Sequence, residues 1–426
     1  MFELHVRKFN CFKGKMMWKR FKNHIRAFIC EQNYKTIIKR IRKYPPNKKI
    51  RVLFYVTENS KWCYQQLYEL LDNSPYFEVL IAVGILNTVH KGVDKTRQNL
   101  EENYNFFKTR GMNVHYAYKD NNYISFKEFK PDIVFYEQKW DLPRLYHPHI
   151  VSKYALTCYC SYGFELFKNN CNYSWEFHKR LWKLFVENEI NIEYYKTCIN
   201  NPVKNCIATG WPKLDYFRQN IESSFEWNNP DKVKIIYAPH HSLSKTGLQL
   251  ATFNQNGKFI LEWAKAHPET TWVFKAHPRF RFALLNNNIM NEEEIEEYFK
   301  AWEEIGIVYT AGDYFNIFQS SDLMITDCGS FLAEYLPTCK PLIRLINKNA
   351  IELNPLGENI VSAYYKSENN NDLQQILKTL IEDKNDYMYK QRLSIKEKLF
   401  GYDESASIKI YKTLLLHLKR KEENDQ

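Results

Sequence analysis

From residue 51 onward, short apolar runs alternate with stretches whose apolar positions recur at helical spacing. Arg51 to Val56, Val79 to Val83, Val114 to Ala117 and Ile133 to Tyr136 read as strands, with helices expected at Trp62 to Leu71 and Lys95 to Thr109. Tyr154 to Tyr159 reads as another strand, Tyr173 to Glu189 as a long aromatic-rich helix, and Cys206 to Thr209 as a strand entering a turn at Gly210 and Pro212. A second series begins with strands at Lys234 to Ala238, Thr271 to Phe274, Val308 to Tyr309, Leu323 to Ile325 and Leu342 to Arg344. Helices are expected at Gly257 to Ala266, Glu292 to Glu304, Tyr314 to Ser320 and Ser330 to Leu336, and from Asp372 onward. Such alternation predicts an α/β protein of right-handed βαβ units and doubly wound parallel sheets. Two series joined near residue 205 imply two Rossmann-like domains facing a cleft, at 49–205 and 206–385, followed by C-terminal helices at 386–426.

Length and composition support that division. The 426 residues exceed what one core usually organises, and 44% hydrophobic with 16% aromatic residues describes a folded chain. No internal repeat is evident. No apolar run approaches the roughly 20 residues of a spanning helix, and the N-terminus lacks an uninterrupted apolar core, so a cytoplasmic protein is expected. The ten cysteines include no CxxC pair, which makes scattered reduced thiols the expectation and metal ligation unexpected. The formal charge of +11 is concentrated in residues 1–48, a basic N-terminal arm with Glu3 and Glu31 as its only acidic residues. Met16, Met17, Phe21, Ile25, Phe28 and Ile29 approximate a helical stripe within it, which suits an interfacial helix on an anionic membrane surface. A basic helix packed on its own protein or on a partner fits as well. Nucleic acid is not the expected partner, because no recognised binding motif accompanies the charge.

Candidate chemistry lies in two segments, WVFKAHPRF at 272–280 and SDLMITDCGSFLAEYLPTCKPLIRL at 321–345. In each, a buried-strand pattern breaks off into residues suited to gripping phosphate: Lys275, His277 and Arg279 in the first, Thr326, Asp327, Gly329 and Ser330 in the second. Open α/β sheets bind ligands where strands end and helices begin, so a nucleotide diphosphate is the expected ligand.

Together with IYAPHH at 236–241, GWPKLDYF at 210–217 and KPLI at 340–343, these segments resemble the CDP-glycerol glycerophosphotransferase family. The resemblance implies a GT-B fold, an N-terminal acceptor domain, a C-terminal nucleotide domain, attachment to the inner membrane face, and synthesis of teichoic-acid-like or capsule polymers. It implies transfer of a polyol phosphate from a CDP-activated donor to a glycan or glycolipid hydroxyl, with CMP released and no cofactor. By position, His277 would contact the diphosphate, helped by Arg279, while Thr326, Asp327, Gly329 and Ser330 would hold phosphate. Gly329 stands where the family has a serine. Glu334 would meet a ribose hydroxyl, and His240, His241 and Ser242 match another strand end, with the two histidines replacing the family's usual Thr and Phe.

Ordinary roles stay open for each: His277 could cap a turn, Asp327 could cap a helix, Glu334 could be a solvated helix residue, and one of His240 and His241 could be structural. In the family the candidate general base is a histidine in a WHG stretch of the N-terminal domain, whereas CYCSYGF at 158–164, the corresponding place here, holds none. His149, with His147 beside it, and Glu137 are the candidates, and His241 could add positive charge at the transferring phosphate. A glycosyltransferase using a nucleotide sugar and a non-catalytic binding protein of the same fold are the alternatives.

Overall fold

A computed structural model describes residues 2–86, 93–168, 176–199, 203–219, 223–309, 314–401 and 403–419. The chain divides into two compact units: Met1–Tyr162 with Asn169–Asp215 and Glu404–Gln426, and Gly163–Lys168 with Tyr216–Asp403.

The first unit is built on a seven-stranded parallel sheet. Its strands are β1 (Ile50–Val56), β2 (Phe77–Val83), β3 (Val114–Tyr116), β6 (Ile133–Tyr136), β7 (Leu156–Cys160), β8 (Lys183–Val186) and β9 (Cys206–Ala208), ordered β3-β2-β1-β6-β7-β8-β9. Two-residue strands β4 (Tyr118–Lys119) and β5 (Asn122–Tyr123) form a separate antiparallel hairpin. β1, β6 and β7 are buried along nearly their whole length, as a parallel sheet covered on both faces requires. Sequence order reverses between β1 and β6, where Tyr55 pairs with Tyr136, so this unit's switch point lies at the ends of those two strands.

The long helix expected at Tyr173 to Glu189 is not formed. Glu176–Lys179 is a single helical turn and Lys183–Val186 is strand β8 between β7 and β9. A strand buried on both faces shows no period-2 signature, so a short apolar run such as Leu181 to Val186 fits either element on pattern alone. Residues 173–175 of that expectation lie outside the described residues.

The basic N-terminal segment is one helix, Phe2–Ile41, and it belongs to the first unit. Cys30, Tyr34, Ile37 and Ile41 are its buried stripe. The Tyr34 hydroxyl lies 2.6 Å from Thr157 Oγ1 and donates to the Arg180 carbonyl, and Arg40 pairs with Asp132 at 2.9 Å. The expected apolar stripe lies elsewhere on the helix: Ile25, Phe28 and Ile29 are exposed, Phe28 by 61%. Met16, Met17 and Phe21 are outside the described side chains. Among the described residues no helix is long and apolar enough to cross a membrane.

The second unit carries a six-stranded parallel sheet: β10 (Val233–Ala238), β11 (Thr270–Phe274), β12 (Gly306–Val308), β13 (Leu323–Thr326), β14 (Leu342–Leu345) and β15 (Tyr365–Ser367), ordered β12-β11-β10-β13-β14-β15. This is the 3-2-1-4-5-6 order of dinucleotide-binding sheets, with its switch point between β10 and β13. Helix Glu292–Ile305 starts at a capping box formed by Asn291 and Glu294 and buries Ile295, Tyr298, Phe299 and Trp302, one stripe of its surface. Trp302 stacks on Phe274, the last residue of β11, at 5.1 Å and 10°. Truncating Trp302 to Ala would cost about 3–5 kcal/mol and loosen the strand end that presents Lys275 and His277.

The C-terminal helices part company. Tyr389–Phe400 stays with the second unit, where Arg392 donates to the Cys339 carbonyl at 3.1 Å. Ala406–Leu418 belongs to the first unit, because Asp215, from the GWPKLDYF turn, accepts from the backbone N–H groups of Ala406 and Ser407 at 2.8 Å each.

Candidate functional site

Three chain segments leave the carboxyl ends of β10, β11 and β13 and meet at the second sheet's switch point. After β10 come His240, His241 and Ser242; after β11, Lys275, His277 and Arg279; after β13, Asp327, Gly329 and Ser330. The His241 and His277 rings stack at 3.9 Å and 25°, and His240 lies 4.4 Å from His241 and 5.9 Å from His277. The backbone N–H of His240 donates to Asp327 Oδ1 at 2.6 Å, which ties the histidine cluster to the β13 loop. The structure therefore brings the two sequence segments together.

Several expected ligand contacts are internal ties. Asp327, buried, accepts at Oδ2 from the N–H and hydroxyl of Thr252 at 2.6 and 2.8 Å, in addition to the His240 bond. Burial pushes its proton affinity up to about 6, against these donors, which favour the ionised form. Thr326, fully buried, donates to the Ala238 carbonyl at 2.7 Å and accepts from the Cys328 N–H at 2.9 Å. Ser242 Oγ lies 2.8 Å from His240 Nδ1 and accepts from Leu250 N–H at 2.8 Å. Glu334 is buried and accepts from the Tyr314 hydroxyl. These residues position the loops.

Gly329 is packed beneath Phe167. A Cβ there would stand 2.4 Å from Cε2 of that ring, so the aromatic side chain occupies the space a residue larger than glycine would need. Phe167 comes from the short segment Gly163–Lys168 that joins the second unit, pinned by a bridge to Leu353.

His241, His277, Arg279 and Ser330 keep exposed surface. Lys275 is 6% exposed, with its Nζ 4.9 Å from the Tyr314 ring, 5.4 Å from Tyr309 and 5.7 Å from Phe331. Burial and then the neighbouring imidazoles drive His240 down to about 3. Burial, His241, Arg279 and Lys275 do the same to His277, also to about 3, and burial with Arg279 lowers His241. All three rings are thus neutral near pH 7. Nδ1 of His277 accepts from the Arg279 N–H at 3.1 Å and Nδ1 of His240 accepts from the Ser242 N–H at 3.1 Å, so the network assigns each ring proton to Nε2. Such a cluster of cations and N–H donors, with its nearby carboxylates already engaged, is suited to an anion, whose arrival would reverse the depressed proton affinities.

In the first unit, Glu137 follows the end of β6 at that sheet's switch point. It is 1% exposed, and Oε2 accepts from the N–H and hydroxyl of Thr57 at 3.1 Å each, while Oε1 has no hydrogen-bond partner. Burial raises its proton affinity to about 8, with Lys61 opposing, so it is protonated at neutral pH. His149 lies elsewhere, on the turn Pro148–Val151 leading to the start of β7. The β6–β7 register puts the start of β7 level with Ile133, at the sheet edge opposite Glu137. Burial, Arg180, His147 and Arg26 lower its proton affinity to about 4, which makes it a weak base. Among the described residues no cluster of His, Cys, Asp or Glu is arranged to hold a metal.

Sequence reasoning missed Thr252, the ring cage around Lys275 and Phe167. Tyr314 and Phe331 stand near the β13 segment and could have been suspected from their position, whereas nothing local marks Thr252 or Phe167.

Two doubly wound parallel units in one chain, the second with an anion-suited cluster at its switch point, make up the GT-B fold. The chain belongs to the CDP-glycerol:poly(glycerophosphate) glycerophosphotransferase family, whose sequence model matches residues 145–416, more than half of its length. As a member it is an enzyme of the glycerophosphotransferase type. Among solved structures, a variant of the wall teichoic acid polymerase TagF superposes with a TM-score of 0.56 at 14% identity, covering 93% of this chain and 98% of that one. The UDP-GlcNAc 2-epimerase of Neisseria meningitidis bound to UDP-GlcNAc gives a TM-score of 0.57 at 15% identity, over 87% of this chain and 100% of that one. At such identities the likeness is one of fold. No curated protein sequence matches this chain.

Proposed function

We propose that this enzyme transfers glycerol phosphate or ribitol phosphate from a CDP-activated donor to a hydroxyl of a cell-surface glycan or glycolipid, in teichoic-acid-like or capsule polymer synthesis. The observation that carries the reading is the convergence of Lys275, His277, Arg279 and His241 at one switch point, where a diphosphate is the natural guest. The family match supports the donor class, and a TagF structure soaked with CDPG belongs to the same fold.

In the proposed reaction the acceptor oxygen attacks the β-phosphorus and a new P–O bond forms. The bond to the bridging oxygen breaks, and CMP leaves with the electron pair. Arg279 and Lys275 supply fixed positive charge, and Nε2–H of His277 donates to a phosphate oxygen as charge builds there. His241 and Ser330 line the same anion site. Glu137 is our candidate for the group that takes the acceptor's proton, acting through its ionised fraction, which is minor at neutral pH and grows as the pH rises toward 8. His149, at the other edge of its sheet, is not assigned that role. The exposed Ile25, Phe28 and Ile29, beside Lys22 and Arg26, support peripheral attachment to the inner face of the membrane.

The test is incubation of the purified full chain with CDP-glycerol, CDP-ribitol or nucleotide sugars and a glycan or glycolipid acceptor, with the released nucleotide identified. CMP release with CDP-polyols, lowered about a hundredfold or more by His277→Ala, is expected. Release of a nucleoside diphosphate from a nucleotide sugar instead would make the enzyme a glycosyltransferase.

A further inference from the structure

A cavity of about 430 Å³ opens in the first unit between helix Phe2–Ile41 and the starts of β8 and β9. It is lined by Phe28, Lys35, Lys179, Trp182, Lys183 and Lys204, among others. Because Lys183 begins β8, the cavity lies at the strand-start edge of the sheet, away from Glu137 and the switch point. Its volume falls in the range of small-ligand sites.

The charge on its walls is one-sided. Glu31 is its one carboxylate, and it pairs with Lys35 at 3.0 Å. Lys179, Lys183 and Lys204 have no carboxylate within ion-pair distance among the described residues. Lys183 is half-buried, its Nζ 5.7 Å from the Trp182 ring, and burial lowers its proton affinity. A half-buried ammonium without a counter-ion is costly unless an anion joins it. The helix side of the cavity carries Ala27, Phe28, Tyr34 and Ile38 as well as His24 and the Glu31–Lys35 pair, and outside the lining Ile25 and Ile29 are exposed on the same helix. Cations on the strand side and the exposed Phe28 on the helix side match a phosphate headgroup with acyl chains attached.

We propose that this cavity is a discrete binding site for the phosphate headgroup of an anionic lipid, seated on Lys179, Lys183 and Lys204 with its chains along Phe28. The proposal rests on the membrane-facing reading of the N-terminal helix and is independent of the donor chemistry. It turns diffuse adsorption into stoichiometric recognition.

The test uses the full chain and a short-chain phosphatidylglycerol below its micelle concentration, so that no membrane surface is present. Saturable binding by calorimetry is expected, weakened roughly fivefold per lysine neutralised, or roughly 25-fold in Lys179→Gln/Lys204→Gln. Lys127→Gln/Lys130→Gln, on another basic surface of the unit, should leave it unchanged. Lys179 and Lys204 are partly or fully exposed, so their variants should fold, and Lys183→Gln adds the buried position where circular dichroism shows an intact fold. Inorganic phosphate and glycerol 3-phosphate should compete weakly if the chains contribute. Competition equal to that of the lipid would identify a soluble phosphate ester as the occupant and overturn the lipid assignment. Binding to anionic vesicles without binding of the monomeric lipid, or equal weakening in both double variants, would also overturn the proposal while leaving membrane adsorption and polyol-phosphate transfer untouched.

Discussion

Replacing Asp327 separates a residue that holds the site together from one that grips the ligand. Its carboxylate receives the N–H of His240 and the N–H and hydroxyl of Thr252, at 2.6, 2.6 and 2.8 Å. In Asp327→Asn one carboxylate oxygen becomes an NH2 group, so either the His240 or the Thr252 donors face another donor. Leaving one buried N–H unsatisfied costs about 1–3 kcal/mol, partly offset because a buried charge is removed. Asp327→Ala strands both backbone N–H groups, which raises the cost to about 2–6 kcal/mol by the same measure. The assay is urea unfolding of the full chain followed by tryptophan fluorescence, since Trp263, Trp272 and Trp302 report on this unit. Calorimetric CDP binding is measured in parallel at low urea. The expected order of midpoints is wild type, then Asn, then Ala, with CDP affinity falling in step as the His240 loop loosens. An Asn variant with the wild-type midpoint and severely weakened CDP binding would refute the tie and make Asp327 a ligand contact.

Gly329→Ser, which restores the hydroxyl found in the family, should destabilise by about 1–3 kcal/mol through overpacking against Phe167, and Phe167→Ala should relieve it; equal melting temperatures for wild type and Gly329→Ser would contradict the packing. His240 and His277 have folded-state values of about 3 against an ordinary 6.5, so the unfolded chain binds more protons between these limits. The stability they contribute is present above about pH 6.5 and lost as the pH falls. A His277→Asn variant should flatten that dependence in urea titrations, and CDP binding should take up protons, read from calorimetry in buffers of different ionisation enthalpy. For Glu137 the sign is opposite. Its folded value of about 8 exceeds the ordinary 4.5, so its contribution is complete below about pH 4.5 and lost as the pH rises through 8. Glu137→Gln should remove that slope and, if Glu137 takes the acceptor's proton, lower turnover about 10²–10⁴-fold with donor affinity unchanged.

The doubly wound architecture was legible because strands buried on both faces and amphipathic helices write their burial into composition and period. Arg51 to Val56, Ile133 to Tyr136 and Leu323 to Ile325 each lie within an observed strand. The segments that meet at the second sheet's switch point were legible as well, because a strand end followed by His, Arg, Gly or Ser is a local pattern. Local pattern failed where burial erases the period. Leu181 to Val186 reads as a helix until β7 and β9 are seen to flank it. It also failed to separate ligand groups from ties. Thr326, Asp327 and Ser242 look like ligand groups in sequence, and only tertiary structure shows their oxygens already bonded to Ala238, Thr252 and Leu250.

What the amino-acid order settled by itself was the kind of fold, the strand ends that converge at the second sheet's switch point and the family those ends resemble, because each depends on neighbours a few residues apart. What awaited the tertiary structure was every relation between distant segments. Phe167 lies over Gly329, Asp215 caps the final helix of the first unit, Tyr309 joins the cage around Lys275, and lysines from separate segments line the cavity beside the N-terminal helix. Such contacts arise from how sheets and helices stack, and no spacing along the chain encodes which remote side chain will fill a given gap.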